Sequence, residues 1–378
     1  TDTYVIAAGT NLSDTDLERL AAAEKDDISV TADGSIEVRQ LEDLDFAFTD
    51  TTNGVANGTL TMITASNEIF SGAETAATLD TIQGTGDVQL RIDGEMRDAM
   101  TGAWAIQGSA IVLEAGDFAS IGTEAQPVRL DILSGGGITA RAGVDVNLLA
   151  IGGMPIDQVF AGETARLTSV GAMTDNVASG LPRVVADNIE LSGSTIGTAA
   201  VPLVVTQNAA DGSIALTTTT GDLNVQTSGD ATFTGVTSAA GGSLTVAGDM
   251  ALSGNNVVSF ATGETLEVTI AGTLDTSAAS GTMAQGGTLD QTTAGGLGSA
   301  TQDFVTALEG LTFTTTGTGA TPVYVTNTGN LVLDIDRSDD AGSVVDVTVV
   351  GTLEATVNGA ADIDLTATEI TAATLPGD

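Results

Sequence analysis

The densest group of chemistry-bearing side chains in the chain is Asp334-Ile335-Asp336-Arg337-Ser338-Asp339-Asp340. In an extended strand Asp334 and Asp336 share one face, because successive side chains alternate, and Asp339 and Asp340 follow at a turn. Hard carboxylate oxygens at this spacing suit Ca²⁺. Asp334, Asp336, Asp339 and Asp340 are therefore the candidate metal ligands, and calcium is the one cofactor the chain suggests. The pattern is not an EF-hand, since Asp339 stands where the loop needs its glycine and Val345 where it needs its bidentate glutamate. A solvated turn in which Arg337 pairs with one acid accounts for the same residues without a metal. Glu42, Asp43 and Asp45 form a second, sparser group.

Other chemistry is excluded by composition. The 378 residues contain no histidine and no cysteine. Serine and cysteine catalytic triads that turn on histidine are therefore ruled out, as are disulfides and the usual zinc and haem sites. The glycine-rich runs Gly135-Gly136-Gly137 and Gly286-Gly287 lack the helix, and for a phosphate-binding loop the lysine, that a nucleotide site requires. Carboxylate chemistry remains, and a glycosidase needs only two acids. A sugar cleft is normally lined with aromatic rings, however, and aromatics make up 3% of this chain. No enzyme is expected; a polysaccharide-degrading β-helix is the catalytic alternative.

The elements that must carry these residues are short strands. Hydrophobic residues are 42% of the chain, and glycine contributes 47 residues without a collagen period. The clearest run begins at Gly221-Asp222-Leu223-Asn224-Val225 and continues through Gly229-Asp230-Ala231-Thr232-Phe233 and Ser243-Leu244-Thr245-Val246. It goes on through Gly248-Asp249-Met250-Ala251-Leu252 and Thr265-Leu266-Glu267-Val268-Thr269. Apolar residues alternate with polar ones, the mark of a strand with one buried face. Leu223, Leu244 and Leu266 recur after 21 and 22 residues. That spacing fits one coil of a parallel β-helix, whose rungs stack about 4.8 Å apart. At each Gly-Asp corner the aspartate is expected to bond its own backbone two residues on.

Two decapeptides 75 positions apart are near copies. They are Ile121-Gly122-Thr123-Glu124-Ala125-Gln126-Pro127-Val128-Arg129-Leu130 and Ile196-Gly197-Thr198-Ala199-Ala200-Val201-Pro202-Leu203-Val204-Val205. A turn that repeats, followed by a strand, is architecture and not catalysis. The fold expected is all-β, a parallel β-helix (β-solenoid) with a small amino-terminal α/β cap; an array of β-sandwich domains is the alternative. Residues 1–60 form the expected cap, with a helix over 13–26 led by Ser13 and a strand at Thr3, Tyr4, Val5, Ile6 and Ala7. Residues 61–378 form the solenoid, with an irregular excursion near 275–320 that includes a helical turn over 302–309.

The coil pattern resembles that of large secreted bacterial adhesins, the filamentous-haemagglutinin-like exoproteins of the hemagglutinin-repeat type. One unit runs Ile111-Val112-Leu113, Ile121-Gly122-Thr123, Pro127-Val128, Gly137-Ile138-Thr139-Ala140, Val144-Asp145-Val146. Its partner runs Ile189-Glu190-Leu191, Ile196-Gly197-Thr198, Pro202-Leu203, Gly212-Ser213-Ile214, Gly221-Asp222-Leu223, and a degenerate third starts at Ala320-Thr321-Pro322-Val323. The resemblance implies export, a right-handed β-helix and an adhesive or matrix role. The secretion domain such exoproteins carry at the amino terminus is not recognisable here.

Charge narrows the partners. Fifty acids against ten bases give a formal net charge of -40. Such a surface repels nucleic acid and anionic membranes and favours solubility in saline surroundings. No apolar run is long enough for a membrane helix. The expectation is a secreted or extracellular structural protein of the cell surface or matrix. It would be a filament or sheath subunit, or an adhesin segment, polymerising head to tail through Thr3, Tyr4, Val5, Ile6 and Ala7, with possible glycan contacts. A calcium-held surface-layer or appendage protein is the non-catalytic alternative.

Overall fold

The computed structural model describes residues 27–32, 36–40, 44–50, 60–64, 76–83, 88–92, 94–98, 100, 103–317, 321–337, 343–359 and 362–375. The helix expected over 13–26 and the strand at residues 3–7 lie outside them. Among the described residues there are strands, turns and bends and no α-helix. The strands pair in parallel with equivalents one rung on, which makes the protein an all-β parallel solenoid and not a set of antiparallel sandwiches. The chain divides into two compact units, Thr1–Ser179 with Arg183–Gly193, and Ser194–Asp378 with Gly180–Pro182.

In the first unit the stacking begins before residue 60. Strand Asp27–Ala32 pairs with Leu44–Asp50, and Ile36–Gln40 pairs with Leu60–Thr64. Later, Ile106–Ala115 pairs with Val128–Ala142, which in turn pairs with Met154–Ala161. In the second unit one inward column runs through Leu203, Val225, Leu244, Val268, Gln291, Phe313, Ile335 and Val357. Each residue of it is buried. Stacked apolar side chains, each capping the one below, supply the core of a coil too thin for a globular interior. Gln291 breaks the apolar run. Its Nε2 is buried without a hydrogen-bond partner and lines a cavity of about 10 Å³ with Phe304 and Leu289.

The register differs from the leucine spacing. Leu223 and Leu266 both face Gly242, and Leu244 sits in the neighbouring column between Val225 and Val268. The slip is two residues, so every side chain keeps its face, which is why the alternation is right although the column is not. Coil length is not constant either. Backbone-to-carboxylate bonds between adjacent rungs span 19 residues at Asp145–Thr164 and 24 at Asp249–Thr273.

The described part of residues 275–320 is built mainly of strands. Leu274–Ser280 pairs with Met250–Asn255 across a register shift, and Ala284–Thr293 pairs in register with Phe304–Thr315, so the helical turn expected over 302–309 is corrected to a strand. Phe304 and Leu308 are spaced as on a helix face, but Thr306 between them is equally buried, which only a strand allows.

The two near-copies are the same corner. Ile121 bridges Met96 and Val146, and Ile196 bridges Leu223. In the first, Thr123 N–H donates to the Gln126 carbonyl at 3.0 Å and Gln126 N–H to the Thr123 carbonyl at 3.1 Å. Thr198 and Val201 repeat the exchange at 3.0 and 3.1 Å. The threonine hydroxyl accepts the same returning N–H, at 3.0 Å in both copies. Gly122 and Gly197 have φ of 65° and 63°, and a Cβ on either would collide with the backbone of the rung above, Asn147 or Asn224. The third copy is Leu297-Gly298-Ser299, not the Pro322 region. Gly298 has φ of 69°, and Ser299 and Gln302 make the reciprocal bonds at 2.8 and 3.0 Å. Asp303 stands where the other copies have proline, which hid it.

Candidate functional site

In the second unit the Gly-Asp corners stack into an open furrow of about 540 Å³. Three short turns, at Gly229-Asp230, Gly248-Asp249 and Gly272-Thr273, form its floor, and the longer loop after strand Leu203–Gln207 overhangs it. Gln207 ties that overhang down. Its Nε2 donates to the Ala209 carbonyl at 2.8 Å, and its Oε1 accepts Thr232 N–H at 3.0 Å. Asp230, Asp249 and Asp275 line the furrow with Thr206 and Thr273.

These carboxylates reach across rungs. Asp230 Oδ1 accepts Asp249 N–H at 2.8 Å, and Asp249 Oδ1 accepts Thr273 N–H at 2.7 Å and its hydroxyl at 3.0 Å. Asp145 does the same for Thr164, and Asn330 for Thr352, both at 3.0 Å. The expected bond two residues on is thus replaced at these corners by a staple to the next coil. The Thr273 backbone N–H, with the Thr273 hydroxyl second, holds the Asp249 carboxyl below the usual aspartate range. Asp249 therefore suits an anionic acceptor and not a proton donor. Because its folded pKa is lowered, its contribution to stability is present above the unfolded value and is lost as pH falls through the folded one. Asp249→Ala is expected to cost about 1 kcal/mol at neutral pH. The gap from wild type in urea midpoint should close in strong acid; a gap that persists there would show the loss is not the carboxylate's.

In the first unit the buried acids are locked to arginines. Asp98 accepts Arg129 N–H at 3.0 Å, Arg129 Nε at 2.9 Å and Nη2 at 2.8 Å, and Met100 N–H at 2.6 Å. Asp175 Oδ1 accepts Arg183 Nε at 2.9 Å and the N–H groups of Val177 and Ala178 at 2.8 and 2.9 Å, while its Oδ2 is buried without a partner. Arg183 also donates to the Asp157 carbonyl at 3.0 Å and to the Ser179 hydroxyl. Arg166, nearer the surface, grips Glu190 at 2.7 and 2.8 Å and Asn147 at 3.0 Å.

The predicted calcium ligands are only partly brought together. Asp334 and Asp336 are exposed on one face of strand Leu331–Arg337, as alternation requires. Their rung neighbours are hydroxyls, Thr312 and Thr356 beside Asp334 and Thr314 beside Asp336. Asp339 and Asp340 lie outside the described residues, as do Thr3, Tyr4, Val5, Ile6 and Ala7. Among the described residues no three acids are grouped to hold a metal ion. No described helix is long and apolar enough to cross a membrane.

The sequence reading missed the cross-rung staples and the arginine locks. The signal for the staples was present, since Gly-Asp recurs at Gly221-Asp222, Gly229-Asp230 and Gly248-Asp249. The locks join residues 31 apart at Asp98–Arg129 and 8 apart at Asp175–Arg183, and carry no local pattern. Charge is also unevenly divided. Of the ten bases only Arg337 falls in the second unit, and none lies between Arg183 and Arg337. Like charges therefore stack without relief, as at Glu267 beside Asp290 and Asp346 beside Asp364.

Comparison with protein-family models, curated proteins and solved structures returned no match.

Proposed function

We propose that the chain is a structural component of an extracellular surface or matrix, a self-assembling subunit or adhesive segment built of stacked β-coils. The observation that carries this reading is the use of its carboxylates. Asp98, Asp145, Asp175, Asp230 and Asp249 each accept hydrogen bonds that hold turns or neighbouring rungs. Such an arrangement serves mechanical continuity. The resemblance of the corner repeats to hemagglutinin-repeat exoproteins supports secretion, and the acidic surface supports a saline exterior.

Self-assembly is the more specific form of the proposal, since a parallel ladder can be continued by a strand from another molecule. Such a heterologous contact gives open fibres unless its rotation closes a ring. Negative-stain imaging and sedimentation of the purified chain, with and without calcium or chelator, provide the test. Filaments or sheets that survive chelation are expected. Monodisperse single particles at all concentrations and salt levels, together with no retention on cell or matrix preparations, would refute the proposal. Turnover of any glycan in a panel of acidic and neutral polysaccharides would move it to the catalytic alternative.

A further inference from the structure

The first unit holds an arginine that no acid has claimed. Arg97, Arg129, Arg166 and Arg183 are each ion-paired. Arg141 is exposed and, among the described residues, makes no ion pair. Its guanidinium stands 5.6 Å from the centroid of the Phe160 ring on the next rung. With fifty acids against ten bases in the chain, an exposed arginine would be expected to find a carboxylate.

Register places Arg141 in company. Arg39, Ile63, Arg91, Glu114, Arg141 and Phe160 hold equivalent positions on successive strands. Leu90, Leu113, Ala140 and Val159, one residue earlier on the last four of those strands, are buried, so the column lies on the outer face. The column beside it runs through Glu37, Thr61, Gln89, Val112, Thr139 and Gln158. Together the two columns carry three bases, Arg39, Arg91 and Arg141, and two acids, Glu37 and Glu114, which inverts the balance of the chain.

The second unit carries the complement. Glu267, Asp290, Thr312 and Asp334 form one outward column, and Thr245, Thr269, Thr292, Thr314 and Asp336 form the next. No base occupies either. Glu267 and Asp290 stand on adjacent rungs, where their charges oppose one another unless a cation lies across them. The spacings also agree. Arg39, Arg91 and Arg141 fall on every second rung, and so do Asp290 and Asp334. With rungs about 4.8 Å apart, both sets repeat at about 9.6 Å.

We propose that the column of Arg39, Arg91 and Arg141 in one copy docks on the column of Asp290 and Asp334 in a second copy, through guanidinium–carboxylate pairs. Two pairs at matching spacing fix the register between the copies. The edge of the Arg141 guanidinium takes a carboxylate while its flat side keeps the Phe160 ring. The contact rests on the assembly reading above for its partner, a second copy, but it joins face to face and uses no free backbone edge.

Two chains at a formal charge of -40 repel, and salt sets how far that repulsion reaches. The screening length is about 30 Å at about 0.01 M salt, about 8 Å at about 0.15 M and about 3 Å at about 1 M, where the pairs themselves weaken. Association is therefore expected to peak near physiological salt and to fall on either side. An apolar contact would not weaken at the high end.

Sedimentation velocity of the full chain across that range tests the contact, with two variants whose strand content is checked by circular dichroism. Arg141→Glu and Asp290→Arg should each weaken association about tenfold or more at about 0.15 M salt. Mixed, they should pair again, because the first keeps the acidic face and the second keeps the basic one. Fibres grown through backbone edges should persist in both variants, so loss of fibres and loss of this contact are read separately. Three results would overturn the proposal: wild type whose association does not peak with salt, variants that associate as wild type does, or a mixture no more associated than its parts.

Discussion

Asp98→Ala is expected to destabilise the first unit by about 3–5 kcal/mol, the largest single-residue effect in that unit. The carboxylate is completely buried and Arg129 is 11% exposed, so removing the acid takes two hydrogen bonds and the facing charge from a guanidinium that little water can reach. It also leaves the backbone N–H groups of Arg129 and Met100 without their acceptor. The pair itself need not be strongly stabilising, because desolvation offsets much of its attraction. The double variant Asp98→Ala, Arg129→Met should accordingly recover a large part of the loss. Trp104, the chain's one tryptophan, sits next to Ala105, whose N–H donates to the Arg129 carbonyl at 2.9 Å. Its fluorescence during urea unfolding reports on that rung. A single variant within about 1 kcal/mol of wild type would mean that water reaches the guanidinium after all.

Gly197→Val should be strongly damaging at its corner of the second unit. A left-handed φ costs a β-branched residue about 1–3 kcal/mol. Forcing the side chain against the Asn224 carbonyl and the Leu203 amide adds about 1–3 kcal/mol of overpacking. Another corner of the same unit offers a control. Gly229 has no positive φ and nothing within 4 Å of a built Cβ, so Gly229→Ala should stay within about 0.5 kcal/mol of wild type. Far-UV circular dichroism in urea distinguishes the two. Equal losses would show that the corner relaxes and that its glycine is not needed for geometry.

The sequence made the strands legible where one residue type did one job. Leu223, Val225, Leu244 and Val246 alternate with polar residues and are all buried, so face and fold class follow from period alone. Register does not, because a two-residue slip leaves the alternation unchanged, and Gly242 sits opposite two leucines without advertising it. The third corner escaped because its identity lies in backbone geometry. Leu297, Ser299 and Asp303 do what Ile121, Thr123 and Pro127 do, and only Gly298 is kept. The acids were misjudged in the other direction. Asp334 and Asp336 stand out in the sequence and are flanked by threonines. Asp98, which stands between Arg97 and Ala99, accepts four hydrogen bonds.

The uneven placement of arginine has a consequence outside folding. Proteases that recognise lysine or arginine need that side chain in their specificity pocket before they can cut. Between Arg183 and Arg337 no peptide bond offers one, whether the coils are stacked or unravelled. For that whole span, survival in a medium rich in trypsin-like enzymes is written into composition and would outlast the loss of structure.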